Sequence, residues 1–267
     1  MNLNRFCSVV FLVLLVSTLS NAQQRPLLTE DPRLIAEGTL VTELGFGYQH
    51  QARFPISGLT GDLYSILENG LHFGLGERAE FQMTGVVQNY LRLENGAGRR
   101  NDWGDLSLST KIRLVKEGDS RPAVSFRPTV VLPNSSRTKG IGTDTLKFSG
   151  NVLVGKKLRS MYVFGNIGIA MLDDPTRLAS QQDLLTYGIA TSIPAGSRLN
   201  VLAEWNGRHS STSNPSPSGE SLGQARLGMQ VKTGSIRWDA AVTAGTTHWE
   251  HKGGFTAGMS KEFQLWR

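Results

Sequence analysis

Charged side chains recur at every second position along several stretches of this 267-residue chain. Lys111 and Arg113 are separated by one residue, and so are Arg237 and Asp239. In an extended strand, side chains two residues apart point to the same face. Charges on one face either line a water-filled path and select among ions, or pair with each other as salt bridges. Both chemistries require many strands to share one polar interior.

Histidine is the other residue type here that could do chemistry. His209 and Ser210 lie in a Ser- and Pro-rich stretch that would position a nucleophile poorly. His248, Glu250 and His251 form a short polar run that could bind a metal ion, although such a run is more often only solvated. No strand carries a His and a Ser with an acidic or amide partner at a suggestive spacing. The sequence therefore predicts no enzyme, no metal site and no cofactor.

A two-residue alternation of apolar and polar side chains runs from about Leu40 to Phe263. In the window Asp105–Leu114, the leucines and Ile112 share one face and the basic residues share the other. After residue 22 no apolar run is long enough for a membrane helix, but a membrane strand needs only about 9–11 residues, half of them apolar. The pattern recurs about a dozen times. It predicts an all-β fold, an antiparallel up-and-down transmembrane β-barrel of about 12 strands.

If the apolar set of side chains faces lipid, the other set faces the lumen. The charged and histidine members of that second set are Glu43, Glu68, His72, Glu80, Lys111, Arg113, Arg127, Lys147, Glu204, Arg208, Arg226, Lys232, Arg237 and Asp239. They line an aqueous path or fill a narrow interior as cross-strand salt bridges, and a barrel of about twelve strands is compatible with both. The formal net charge of +6 favours anionic or neutral solutes, or contact of Arg99 and Arg100 with lipid phosphates at the outer rim.

The connections between predicted strands alternate in length. The short turns are 74–77, 116–121, 156–160, 194–197 and 233–235, and the longer loops are 50–61, 93–103, 133–144, 172–182, 208–223 and 246–253. Outer-membrane barrels combine short periplasmic turns with longer outside loops, so both termini are expected in the periplasm. The aromatic residues Phe73, Phe81, Trp238 and Phe263 fall near the short turns, and Tyr48, Trp205 and Phe255 fall near the other rim, as two interfacial girdles would.

The first residues have the three parts of a secretory signal peptide. Arg5 precedes an apolar stretch, Phe6–Leu19, and the small-residue site Ser20–Ala22 follows. The only cysteine, Cys7, lies within this signal. We expect a signal peptide over 1–22, a periplasmic N-terminal lead-in over 23–37 and the barrel over 38–267. An uncleaved anchor helix is the alternative for 1–22, and the Pro-containing lead-in could enter the lumen as a partial plug.

A secreted β-sandwich also alternates and is the main soluble alternative. Its core face should interdigitate with a second sheet, whereas the polar face here is rich in glycine and charge. The 30 glycines suit a barrel wall better. Closure of the sheet also removes the exposed strand edges that lipid does not tolerate, which favours the barrel.

Several short stretches resemble a known family. They are Arg25–Pro32, the run from Gly104 through Lys111–Leu114 to Val130–Pro133, Glu204, and Gly258–Phe263. Together they are similar to the MetA-pathway of phenol degradation family of outer-membrane transporters. The resemblance implies a barrel that passes small, often aromatic, hydrophobic compounds. Outer-membrane barrels usually end on an aromatic residue, but here Gln264–Arg267 follow Phe263, which leaves the register of the assembly signal open.

Taken together, these patterns predict a channel or transporter in the outer membrane of a Gram-negative bacterium. The expected partners are outer-membrane lipid, a small-molecule solute and the barrel-assembly machinery, with no nucleic acid. A structural or adhesive barrel without transport is the alternative, and an outer-membrane lipid-modifying enzyme is a weaker one.

Overall fold

The computed structural model describes residues 25–176 and 180–266, so the predicted signal peptide over 1–22 lies outside the described residues. The strands are β1 (Thr39–Phe54), β2 (Leu59–Gly74), β3 (Ala79–Leu93), β4 (Arg99–Asp102), β5 (Leu106–Val115), β6 (Ala123–Leu132), β7 (Lys147–Leu158), β8 (Met161–Asp173), β9 (Gln181–Pro194), β10 (Leu199–Ser210), β11 (Leu222–Thr233), β12 (Ile236–Gly245) and β13 (Gly253–Gln264). Single 3₁₀ turns occur at Glu94–Gly96, Arg137–Lys139 and Pro217–Gly219. Within the described residues, no helix has the length and apolar character needed to cross a membrane.

The sheet closes on itself. β1 pairs antiparallel with β2 on one side and with β13 on the other. The other pairs join consecutive strands, except that β3 pairs with β5 as well as with the short β4. The result is the predicted antiparallel barrel of 12 strands, to which β4 adds a short extension alongside the outer end of β3. Because the sheet has no second layer and no free edge between β1 and β13, the β-sandwich alternative is wrong.

The predicted alternation of short and longer connections is found in the structure, with one exception. The segment 50–61 is not a long loop, because β1 continues to Phe54, β2 begins at Leu59 and only a tight turn separates them. Strand pairing there runs to Phe54 opposite Leu59. The first hairpin therefore extends beyond the barrel wall as sheet.

Large apolar side chains cover the outside of the barrel, and polar ones are buried inside it. Ile167 and Val242 are 58% and 60% exposed, whereas Lys111 and Glu80 are each 0% exposed. This arrangement is the reverse of that in a water-soluble protein. The outer surface is therefore matched to lipid, and the inner face carries the polar half of each strand.

Two rows on the outer face mark the limits of the apolar band. Near the short turns, the strand register aligns Phe263, Leu40, Phe73 and Phe81, which we call the lower row. Near the longer loops it aligns Phe255, Tyr48, Tyr64 and Tyr90, which we call the upper row. The ring centroids of Tyr48 and Tyr64 are 5.2 Å apart. Eight residues of β1 separate the rows, about 26 Å along a strand or about 20 Å along the axis at a tilt of ~40°, close to the apolar height of outer-membrane barrels.

A β-bulge in β2 changes which face one residue occupies. Leu67 adopts a positive φ of 54°, and the β1–β2 register shifts between Gly45 and Phe46. Beyond the bulge, Leu63 lies opposite Gln49 on the lumen side, although its spacing from Leu67 and Leu71 predicts the outer face. That prediction is wrong because a bulge inserts one residue and reverses the alternation that follows it.

We expect Ile167→Arg to lower the free energy of unfolding by about 2–4 kcal/mol, because it places a charge near the middle of the apolar band. Ala170 lies on the same strand but faces the lumen, so Ala170→Arg is the matched control and should cost less. Urea titrations of protein refolded into lipid vesicles measure both. Equal losses for the two variants would contradict the assignment of faces.

Candidate functional site: the lumen and its plug

The segment that precedes β1 crosses the lumen. Residues 25–37, which we call the plug, contact inward-facing side chains on opposite walls of the barrel. The backbone N–H of Leu28 donates to Glu204 of β10 at 2.9 Å, and the carboxylate of Glu30 accepts from Lys111 of β5 at 2.7 Å. Residues 25–37 are therefore inside the barrel.

A cluster of charges buried at the centre of the lumen fixes the middle of the plug. The Lys111 ammonium lies 2.7 Å from Glu30 Oε1 and 3.1 Å from Glu80 Oε1, and it also donates to the Asp31 carbonyl at 3.0 Å. Gln82 donates to Glu30 at 2.8 Å and accepts from Arg127 Nε at 2.7 Å. Each buried charge here has an opposite charge or a hydrogen-bonding group beside it, as a low-dielectric interior requires.

Glu30 is the acidic group of the plug in this cluster. Burial raises the pKa of its carboxyl, but the nearby Lys111 ammonium and Arg127 guanidinium outweigh that effect and lower the pKa to about 2. Glu30 is therefore a carboxylate at every physiological pH. Its negative charge is what attaches the middle of the plug to the basic side chains of β5 and β6.

Hydrogen bonds to the main chain of the plug supplement the charge cluster. Glu204 accepts from the N–H groups of Leu28 and Thr29, the latter at 2.7 Å, and lies 3.4 Å from Arg226. Arg226 donates to the Pro26 carbonyl at 2.6 Å, and Ser125 donates to the Pro32 carbonyl at 2.6 Å. The Ile35 N–H donates to Glu80 at 2.9 Å. Backbone polar groups of this non-strand segment are thus satisfied by the wall.

The first described residue of the plug, Arg25, reaches across to strands on either side of β1. Its guanidinium donates to Glu68 of β2 at 2.9 Å and to Thr256 of β13 at 3.0 Å. It also lies 3.5 Å from Asp239 of β12, and its carbonyl accepts a hydrogen bond from Gln230 of β11. This end of the plug is therefore attached to four strands.

One apolar side chain of the plug, Leu27, is buried against apolar side chains of the wall. Leu27 packs in a buried cluster with Tyr162, Phe164, Ala190 and Leu202. Sequence reasoning assigned neither Tyr162 nor Phe164 to a face. The sequence nevertheless indicates their face. Tyr162 and Phe164 are spaced two residues apart in line with Asn166 and Gly168, which the alternation places on the inner face. Apolar residues on a polar face, grouped at one end of β8, mark the place where the plug packs.

The structure brings most of the predicted lumen residues into pairs. Glu43 lies 3.5 Å from His72 Nε2 and 3.4 Å from Arg237, and His72 Nδ1 lies 4.0 Å from Glu80. Lys147 pairs with Asp105 at 2.8 Å. These pairs belong to the wall and do not involve the plug.

The remaining predicted residues lie near the two mouths of the barrel. Arg208 donates to the carbonyls of Ser218 and Glu220 in the outer loop between β10 and β11. Arg113 lies opposite Ser125 in register, and Lys232 lies opposite Arg237, both toward the end with short turns. These three residues therefore face the lumen away from the plug's central charge cluster.

A cavity of about 330 Å³ lies between the plug and the outer loops. Charged residues of both signs line it, together with small polar groups: Arg25, Glu68, Asp105, Arg127, Arg226 and Thr243. Its size falls within the range of small-ligand sites, and apolar groups of Leu27, Leu28 and Val86 share its lining with the charged side chains.

The polar run near residue 250 does not form a metal centre. His251 Nδ1 lies 2.9 Å from Glu250, and its Nε2 lies 2.8 Å from the Thr243 hydroxyl. His248 instead lies beside Arg53 and Trp249. Across residues 25–176 and 180–266, no three His, Cys, Asp or Glu side chains are placed to share a metal ion.

Comparisons with known proteins show the fold. No protein-family model matches the chain, and no curated protein matches it. The COG4313 outer membrane channel from Pseudomonas putida F1 is 10% identical, with a TM-score of 0.66 over 87% of this chain and 98% of the other. The NanC porin is 9% identical, with a TM-score of 0.56 over 82% and 98%. The beta domain of the Bordetella autotransporter BrkA is 13% identical, with a TM-score of 0.51 over 85% and 100%. The chain thus shares the architecture of outer-membrane barrels.

We expect Lys111→Met to lower the free energy of unfolding by about 3–5 kcal/mol, because Glu30 and Glu80 then stay buried without their cation. In the double variant with Glu30→Gln the loss should be smaller than the sum of the single losses. Lys147→Met is the control, since its pair with Asp105 is partly exposed and should contribute less. Urea titrations in detergent measure the free energy of unfolding of the unaltered chain, of the Lys111→Met, Glu30→Gln and Lys147→Met variants, and of the double variant. Additive losses for Lys111 and Glu30 would contradict the pairing.

Proposed function

We propose that this protein is an outer-membrane channel for small solutes and that the structure represents its closed state. The observation that carries the proposal is that a separate segment, the plug, blocks the lumen through polar contacts to the wall. A cavity lined by charged and apolar groups remains on the outer side of the plug, where a solute could enter.

The proposed location in the outer membrane rests on the apolar surface of the barrel and on the ends of its first and last strands. The apolar band is suited to contact with lipid. A closed barrel of antiparallel strands is how outer-membrane proteins pair their backbone N–H and C=O groups in lipid. Thr39 and Gln264, the first residue of β1 and the last of β13, are paired at the end with short turns. In outer-membrane barrels that end faces the periplasm, so we propose that β1 begins and β13 ends there.

The proposed class of solute rests on the lining of the cavity and on the resemblance found in the sequence. The resemblance to the phenol-degradation transporter family suggests small, often aromatic compounds. Two of the similar structures belong to other proteins, an outer membrane channel and a porin. The cavity lining carries three basic and three acidic side chains, which favours a neutral solute: Arg25, Arg127, Arg226, Glu43, Glu68 and Asp105. We propose no catalytic role for the protein.

A structural barrel without transport is the second candidate, and the number of plug contacts favours it. The plug is joined to the wall at Glu68, Glu80, Lys111, Glu204 and Arg226, which could make closure permanent. The two candidates differ in what happens when those contacts are removed. A channel conducts once the plug is released, and a permanently filled barrel loses stability instead.

The test is single-channel recording in planar bilayers. The full mature chain should show small or infrequent openings, and a chain lacking residues 25–35 should show conductance several-fold larger. Glu204→Gln, which weakens two main-chain contacts without deleting residues, should increase the frequency of opening. Asp105→Asn also neutralises a lumen carboxylate, but Asp105 bonds Ser135 and Lys147 and not the plug, so it is the control. Folded barrels of both plug variants that conduct no better than the full chain would exclude gating by the plug.

The reversal potential tests the contribution of the basic residues. Arg127→Glu, within the cavity lining, should shift selectivity toward cations because it replaces a positive charge on the path with a negative one. Arg100→Glu makes the same charge change at the rim and should shift it less. An unchanged reversal potential in Arg127→Glu would mean that ions do not pass this residue.

The closed state should also depend on pH. With its pKa lowered to about 2 by the cations around it, the Glu30 carboxylate stabilises the plug fully above its ordinary pKa of 4.5. That contribution is lost as the pH falls from about 4.5 towards 2. We therefore expect opening to increase over this acidic range. Glu30→Gln should open more at neutral pH and lack the acidic increase, and an identical pH profile for both proteins would contradict this role of Glu30.

A further inference from the structure

A charged row follows the upper aromatic row on the outside of the barrel. His50, Asp62 and Arg92 come two positions beyond Tyr48, Tyr64 and Tyr90 on their strands, toward the outer loops. Asp62 pairs in register with Arg92, and Arg92 pairs with Arg99 of β4. Because alternate residues share a face, this row points outward like the tyrosines beneath it. We call His50, Asp62, Arg92 and Arg99 the rim cluster.

Contacts within the rim cluster orient one arginine and leave donors unused. Asp62 lies 2.9 Å from His50 Nδ1 and 2.7 Å from Arg92 Nη2. Only this terminal nitrogen of Arg92 is engaged by the carboxylate, and the side chain remains 63% exposed. A guanidinium has five N–H donors, so most of those on Arg92 remain available. Asp62 thus aims Arg92 without using up its capacity to bind an anion.

A cavity of about 640 Å³ opens beside these residues. His50, Asp62, Arg92 and Arg99 line it together with Glu94 and the glycines of the following turn. Cross-strand partners have Cβ atoms about 4.5–5.5 Å apart, which lets two arginine side chains on one face converge on one group. Glu94 also lines the cavity and would repel an anion, so the favoured position is between Arg92 and Arg99.

We propose that the rim cluster binds the phosphate group of a lipid headgroup in the outer leaflet. Phosphate matches the bidentate geometry of arginine. The position of the cluster favours a lipid over a dissolved anion. Tyrosines of interfacial girdles lie at the level of the lipid headgroups, and the rim cluster lies directly above three such tyrosines. Acyl chains below the phosphate would run over Tyr48, Tyr64 and Tyr90. This site requires the outer-membrane location but does not depend on whether the barrel conducts.

The neighbouring Arg100 provides a matched control. It lies opposite Leu91, which is buried on the inner face, so its side chain points away from the rim cluster. It carries the same charge as Arg99, lies next to it in the sequence and is also exposed. Loss of the Arg100 charge changes the general attraction to an anionic surface equally but leaves the site intact.

The experiment measures binding of an acylated glucosamine bisphosphate (lipid A) to the full mature chain in detergent, by native mass spectrometry. Arg92→Ala and Arg99→Ala should each weaken binding about tenfold or more, as expected for loss of charge-assisted hydrogen bonds, and Arg100→Ala by less than about twofold. On the unaltered chain, the fully dephosphorylated glycolipid should bind at least about tenfold more weakly. Inorganic phosphate alone should not bind at the concentrations used.

Each contrary result overturns the proposal in its own way. Equal binding of the phosphorylated and dephosphorylated lipids by the unaltered chain would exclude a phosphate site, whatever the variants do. Equal losses in Arg99→Ala and Arg100→Ala would show nonspecific charge attraction. Tight binding of inorganic phosphate would assign the cluster to a dissolved anion. Because the bilayer recordings do not use this lipid, a failure here leaves the proposed channel function separately testable.

Discussion

The satisfaction of backbone hydrogen bonds in lipid is the constraint on which this structure depends. An unpaired N–H or C=O group facing hydrocarbon costs several kcal/mol, so a sheet in a membrane must close. β13 pairs with β1 along twelve residue pairs from Thr39 to His50, which removes both free edges. Closure then divides every strand into an outer side that must be apolar and an inner side that need not be.

Closure also creates an interior space, and the plug fills part of it. Twelve strands enclose an interior wider than the side chains of a small barrel can fill. The chain places its own N-terminal segment there, and that segment has no strand partner for its N–H and C=O groups. Glu204, Glu80, Ser125 and Arg226 provide those partners from the wall. The charged interior residues thus act first on a piece of the same chain, and the outer cavity retains charges that face open space.

The two proposed sites separate along the axis of the barrel. The central cluster around Lys111 is fully enclosed, so its pairs are strong only because every member has a partner. The rim cluster is exposed, and its pairs contribute little to stability but keep donors available for an external anion. The same residue types therefore serve closure in the interior and recognition at the rim, according to their burial.

The sequence by itself determined the fold class and the strand number, and its alternation predicted most connection lengths and the face of most strand residues. Those properties follow from a local rule, because successive side chains of a strand alternate between two faces wherever the strand lies. The tertiary structure decided which charges meet: Glu30 and Lys111 are 81 residues apart in the chain, and no periodicity connects them. It also decided the face of Leu63, since a bulge reverses alternation, and the row from His50 to Arg99, since that row depends on register across four strands. Pairing depends on register and on the path of the plug, and both are set only when distant strands close into one barrel.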